Sequence, residues 1–196
     1  FMKKLFVTVI LFSSIALQMK VVSAVHSCPR ISSAPYISGD SFRAIADHVF
    51  DDVTWSLQPG TIRQGDIVFV NTYYLEKFFS RVHPNIKNQY ILVTHNADAP
   101  APGRFEFFLE DEKIIVWFGN NPTVQYHKKF VPLPFGIANK CPHIPHGDTS
   151  HFDIVINKIS NYKKHFLLEM NFRISTNKDI RKPVYDLFMC KSYCKN

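Results

Sequence analysis

The chain has 196 residues, is 46% hydrophobic and 14% aromatic, and carries a formal net charge of +7. That is enough chain for one domain with a real core and short for two. No Lys/Arg run of the kind that tracks a phosphate backbone accompanies the charge, which argues against a nucleic-acid partner.

The N-terminus has the form of an export signal. Met2-Lys3-Lys4 is a short positive region, Leu5 to Leu17 is an apolar run relieved only by Thr8, Ser13 and Ser14, and Val22-Ser23-Ala24 supplies small residues for cleavage. The run is shorter than the ~20 residues that span a bilayer. Residues 1–24 are therefore expected to be a signal peptide of an exported protein, with an uncleaved signal-anchor in the membrane as the alternative. Cleavage removes Lys3, Lys4 and Lys20, bringing +7 to +4, and leaves a single domain over 25–196.

Val25 to Pro35 is a Ser/Pro-rich lead-in. From Asp40 to Asp51, Phe42, Ile45, Ala46, Val49 and Phe50 recur at helical spacing, which predicts a helix capped by Asp40. Asp66 to Val70 is a continuous apolar run between Gly65 and Asn71, the mark of a strand buried on both faces. Tyr73 to Val82 reads as an amphipathic helix stopped by His83-Pro84. A second buried strand, Tyr90 to Thr94, runs into His95-Asn96-Ala97-Asp98. Phe105 to Leu109 is a helical turn, Lys113 to Phe118 a third strand and Phe130 to Leu133 a fourth. Thr149 to Ser160 predicts a helix, His165 to Phe172 a strand, and Asn177 to Phe188 a closing helix with Asn177 as cap. Nearly all-apolar strands alternating with helices predict an α/β fold, a mainly parallel sheet with helices on both faces.

In such sheets ligands sit beyond the carboxyl ends of the strands. Three ends continue into amides and hydroxyls: Asn71-Thr72-Tyr73, Thr94 to Asp98, and Gly119-Asn120-Asn121. Groups that both donate and accept hydrogen bonds suit a neutral polyol such as a sugar. The competing reading is that Asn and Asp simply make turns after strands. His95 with Asp98 has the composition of a general base and its orienter.

Cys141, His143, His146 and His151 could chemically hold zinc, but their spacing matches no standard pattern, and no metal site is assigned. Cys28, Cys141, Cys190 and Cys194 allow three disulfide pairings. Cys190 and Cys194 stand one helical turn apart, a poor disulfide geometry. The chain lacks G-x-G-x-x-G, G-x-x-x-x-G-K-[ST], G-x-S-x-G and H-E-x-x-H, and no D-x-D follows residue 24. No resident cofactor is therefore expected.

Several segments resemble exostosin-like glycosyltransferases: Tyr36 to Arg43, Tyr90 to Asp98, Val116 to Asn121, and His127-Lys128-Lys129 through Pro134-Phe135-Gly136-Ile137-Ala138-Asn139. A weaker likeness covers Asn171 to Asn177 and Arg181. The resemblance implies one Rossmann-like lobe of a two-lobed GT-B enzyme, the lobe that favours a carbohydrate acceptor. A separate donor-binding lobe would hold the nucleotide-sugar co-substrate. The chain reaches Asn196 without that lobe, so a first lobe alone is expected. The residues expected to serve it are His95 and Asp98 in catalysis, and Asn96, Asn120, Asn121, Arg43 and Lys128 in substrate binding. A secreted module that binds glycans or a protein without catalysis is the alternative. A metal-dependent hydrolase built on Cys141, His143 and His146 is a third reading.

Overall fold

In this computed structural model the described residues are 29–141, 147–150, 152–159 and 167–195. The expected signal segment, 1–24, lies outside them. The chain groups into two compact units, Phe1–Asp148 and Thr149–Asn196.

The first unit is built on five strands: β1 (His48–Phe50), β2 (Ile67–Asn71), β3 (Tyr90–His95), β4 (Ile114–Gly119) and β5 (Phe130–Pro132). They pair in the order β1-β2-β3-β4-β5, and every pair is parallel. With its helices this is an α/β Rossmann-like fold. The four apolar runs form β2 to β5 within a residue or two of their predicted limits.

The predicted helix over Asp40 to Asp51 is cut short. Helix α1 spans Gly39–Ala44, and Ser38 rather than Asp40 caps it, its Oγ accepting from the Ser41 N–H at 3.1 Å. Beyond it the Asp47 N–H donates to the Ile67 carbonyl, and the Asp47 carboxylate takes the Ile67 N–H at 2.8 Å. His48 Nε2 meets Asp66 at 2.8 Å. These ties turn His48, Val49 and Phe50 into an edge strand facing Val68, Phe69 and Val70. The helical spacing of Val49 and Phe50 yields to β pairing, because tertiary contacts outweigh a weak local preference.

The segment predicted as a helix over Tyr73 to Val82 is helical from Thr72 to Asn85 with a changing pitch. It passes from a 3-10 turn (Thr72–Tyr74) through α2 (Leu75–Lys77) to a π turn (Phe78–Val82) and a final 3-10 turn (His83–Asn85). Both Phe78 and Phe79 enter the core, where Phe79 stacks on Phe108 at 3.8 Å. On the sheet side the core holds Val68, Val70, Tyr90, Leu92, Ile114 and Trp117. Ile114 and Trp117, three apart, share this face because the register shifts between Tyr90 and Ile91, leaving Ile115 as an extra, exposed residue. A bulge of that kind re-aims the residues after it.

The second unit has α3 (Phe152–Ile159), α4 (Lys178–Phe188) and a short parallel pair, β6 (Leu168–Glu169) with β7 (Cys194–Lys195). The strand predicted over His165 to Phe172 is thus reduced to two residues in the described part, with His165 and Phe166 outside it. Asn177 occupies the cap position of α4, and its side chain makes no capping bond. Cys190 carries a free, exposed thiol, so it is not bonded to Cys194. No described helix is long and apolar enough to cross a membrane.

Candidate functional site

The polar residues at the carboxyl ends of β2 and β3 are tied to one another. Asn71 Nδ2 donates to the Asn96 carbonyl at 3.2 Å, and the Thr72 hydroxyl donates to the His95 carbonyl at 3.3 Å. Asn96 sits at φ 63°, a left-handed conformation that asparagine tolerates better than most residues. From there its amide faces α1. Nδ2 donates to Asp40 Oδ1 at 2.8 Å, Oδ1 accepts from Asn139 Nδ2 at 2.8 Å, and the Asp40 N–H donates to Asn139 Oδ1 at 2.9 Å. The three residues close a ring through two side-chain bonds and the Asp40 main-chain N–H.

Asp40 is 1% exposed. Burial raises its carboxyl above the ordinary value, while the Asn96 bond and the charges of Arg30 and Arg43 act against that rise. Two glycines make the approach possible. A Cβ on Gly39 would lie 1.7 Å from Asn96 Oδ1, and one on Gly136, at φ +71°, would lie 2.1 Å from the Ile37 carbonyl. That close passage lets the Ile137 N–H donate to the Ile37 carbonyl at 2.8 Å, joining the segment after β5 to the one before α1.

Above the ring is a cavity of about 270 Å³ lined by Tyr73, His95, Asn96, Asp98, Phe135 and Asn139. Tyr73 and Phe135 are both more than half exposed and offer apolar faces. Of the residues predicted for the site, His95, Asn96 and Asp98 line this cavity.

The ring nitrogens of His95 are held by main-chain groups rather than by Asp98. Nδ1 accepts from the Asn96 N–H at 2.8 Å, so Nε2 carries the proton toward the Pro134 carbonyl at 3.2 Å. Burial lowers its pKa, and Phe42 and Phe135 flank the ring at 5.5 and 5.8 Å. A neutral imidazole with both nitrogens engaged positions the loop that carries Asn96.

Asn120, Asn121, Arg43 and Lys128 do not line the cavity. Asn120 is fully buried and donates to the Ala97 carbonyl at 3.1 Å, and Asn121 makes long contacts of 3.5 Å to the carbonyls of Ala97 and Ala99. Both hold the 97–99 segment from behind. The Arg43 guanidinium is committed to buried Asp51 at 2.6 Å and to Thr54 at 3.3 Å. Lys128 is exposed in the turn before β5, beside the His127–Glu110 pair. In a parallel sheet that turn lies at the amino edge, the far end from the cavity.

Asn139 and Phe135, which line the cavity, and Asp40, which bonds to Asn139, are not among the residues expected for the site, whereas Tyr73 belongs to a strand end singled out for its polar groups. The Pro134 to Asn139 phrase was a signal, but spacing alone could not bring it to Asn96. Cys141 is disulfide-bonded, which withdraws its thiolate from metal binding. The histidines proposed with it, His143, His146 and His151, lie outside the described residues.

Among the described residues the other buried histidine is His83, with Nδ1 2.9 Å from the Tyr90 hydroxyl and Nε2 3.1 Å from Asp111. Burial lowers its pKa also, against the opposing effect of Asp111. Both histidines are held below 6.5 when folded, so on acidification the unfolded chain takes up protons first. Stability is full above that value and falls as pH drops toward the lowered folded values. Asp40, with a raised pKa, works in the opposite direction, and only from 3.8 upward to its own folded value. Urea midpoints followed from neutral pH to about pH 5 are expected to fall, less steeply in His83→Gln. A profile that is flat, or unchanged by the substitution, removes this role.

No protein-family model and no curated protein matches the chain.

Proposed function

We propose that the first unit is an exported, glycosyltransferase-like lobe that binds a carbohydrate acceptor at the carboxyl edge of β2 and β3. The observation that carries the reading is convergence. Three segments with the exostosin-like resemblance, Tyr36 to Arg43, Tyr90 to Asp98 and Pro134 to Asn139, meet around one cavity through the Asp40–Asn96–Asn139 ring. Flat apolar faces on Tyr73 and Phe135 beside Asn96 and Asp98 suit the alternating C–H and hydroxyl surfaces of a sugar. Among the described residues the lining carries a carboxylate and no Lys or Arg, a composition that suits hydroxyls rather than a nucleotide-sugar diphosphate. A donor sugar nucleotide would be held by a separate lobe. The Cys141 disulfide fits an oxidising, exported setting.

Engagement of both His95 nitrogens favours a second reading, a secreted module that binds glycans or a protein without catalysis. The two are separated by assaying the purified chain for glycan binding and for sugar transfer or nucleotide-sugar hydrolysis. On either reading, glycan-array binding is expected to weaken about three- to tenfold in Phe135→Ala, the value of one aromatic face. Asp98→Ala is expected to weaken it further. Binding that survives both substitutions unchanged, or no glycan binding at all, rejects the site.

A further inference from the structure

A larger cavity, about 450 Å³, lies between the end of β1, the loop after it and the helical segment 72–85. Its lining differs in kind from that of the sugar-site candidate. Phe50 and Leu57 give it an apolar floor, Trp55 and Tyr74 give it aromatic walls, and Lys77 and Arg81 bring two cations. Trp55 is 68% exposed, a large aromatic surface left at the cavity mouth. Lys77 Nζ stands over the Tyr74 ring, 5.3 Å from its centroid. Neither Lys77 nor Arg81 forms an ion pair among the described residues, whereas Arg104 nearby in the fold is taken by Glu76. Arg81 belongs to the π turn, a local widening of the helix that recurs at functional sites.

We propose that this cavity binds a small organic anion with a flat apolar body. An aryl carboxylate, sulfonate or phosphate monoester would set its ring against Trp55 and Tyr74 and its charged head on Lys77 and Arg81. The volume is within the range of small-ligand sites. The charge is complementary, because two unneutralised cations beside apolar surface favour an anion over a neutral ligand of the same shape. The site is independent of the carbohydrate reading, sharing no lining residue with the smaller cavity.

The test titrates the full chain with anilinonaphthalene sulfonate and with its uncharged parent, N-phenylnaphthylamine, following ligand emission and tryptophan quenching. The sulfonate is expected to bind at one equivalent and to quench Trp55, with the quench lost in Trp55→Phe. The Lys77→Gln/Arg81→Gln pair is expected to weaken it by about tenfold or more, and Lys77→Arg to retain it. Both charged residues lie on the surface side of the helix, and thermal melting confirms that each variant is folded. Equal affinity for the uncharged parent, or unchanged affinity in the double variant, overturns the proposal. So does a quench that persists in Trp55→Phe, since the only other tryptophan is buried Trp117.

Discussion

Gly39→Ala is expected to abolish the carbohydrate binding proposed at the β2–β3 edge and to lower stability by about 1–3 kcal/mol, the range of overpacking. The backbone of Gly39 is ordinary helix, so strain is not the cause. Space is: the new methyl would meet Asn96 Oδ1 at 1.7 Å and His95 Nδ1 at 2.5 Å. The Asn96 side chain can leave, but only by giving up its bonds to Asp40 and Asn139. That withdraws the donor that opposes desolvation of the Asp40 carboxylate, pushing its pKa higher still. Adding Asn96→Gly to Gly39→Ala removes the nearest obstacle and suits the positive φ at 96. The double variant is expected to regain part of the stability and none of the binding. Urea melts beside a glycan-binding assay read the two effects apart. Binding that persists in Gly39→Ala would show that the ring of Asp40, Asn96 and Asn139 does not shape the cavity.

The sheet was legible in the sequence because β2 and β3 are mostly buried, β4 is half-buried, and all three read as unbroken apolar runs. β1 was not, since its three residues continue the helical spacing that begins at Phe42 and owe their state to Asp47 and Asp66. The same contrast runs through the site. His95, Asn96 and Asp98, which line the cavity, stand at or just beyond the end of β3, where the sequence pattern points directly. Asn120 and Asn121 give the same signal after β4, yet their amides turn back to the Ala97 carbonyl, a choice that the local sequence does not encode. Asp40 and Asn139 escaped because their partner Asn96 lies 56 and 43 residues away, where no periodicity reaches. Lys128 lies away from the cavity for a topological reason. It follows β4 in sequence but precedes β5, and the chain has crossed to the other sheet edge by then.

Trp117→Ala is expected to cost about 3–5 kcal/mol, the largest loss of any single core truncation in this unit. The indole is fully buried, with ring centroids 5.6 Å from Phe79 and 6.1 Å from Phe130; both rings belong to the same core, and Phe79 is held further by its stack on Phe108. Collapse into the void is therefore incomplete, the condition under which truncation costs most. Part of the cost is polar. Trp117 Nε1–H donates to Thr94 Oγ1 at 2.9 Å, and the Thr94 hydroxyl has only a 3.5 Å contact to the Phe118 carbonyl as its other outlet. Trp117→Phe keeps an aromatic ring and loses the donor, and is expected to cost about 1–3 kcal/mol. Thr94→Val keeps the shape and strands the indole N–H, with a cost in the same range. Removing both partners leaves neither group unsatisfied, so the double variant should be more stable than the sum of the single losses implies, by roughly 1 kcal/mol. Chemical denaturation of the four proteins measures that coupling, and additivity within about 0.5 kcal/mol would deny it. Thr94 is the residue before His95, so the bond also fixes the strand end from which His95 and Asn96 emerge. Trp117→Phe is then expected to weaken glycan binding although residue 117 does not line the cavity, and unchanged affinity would confine the tryptophan to stability alone.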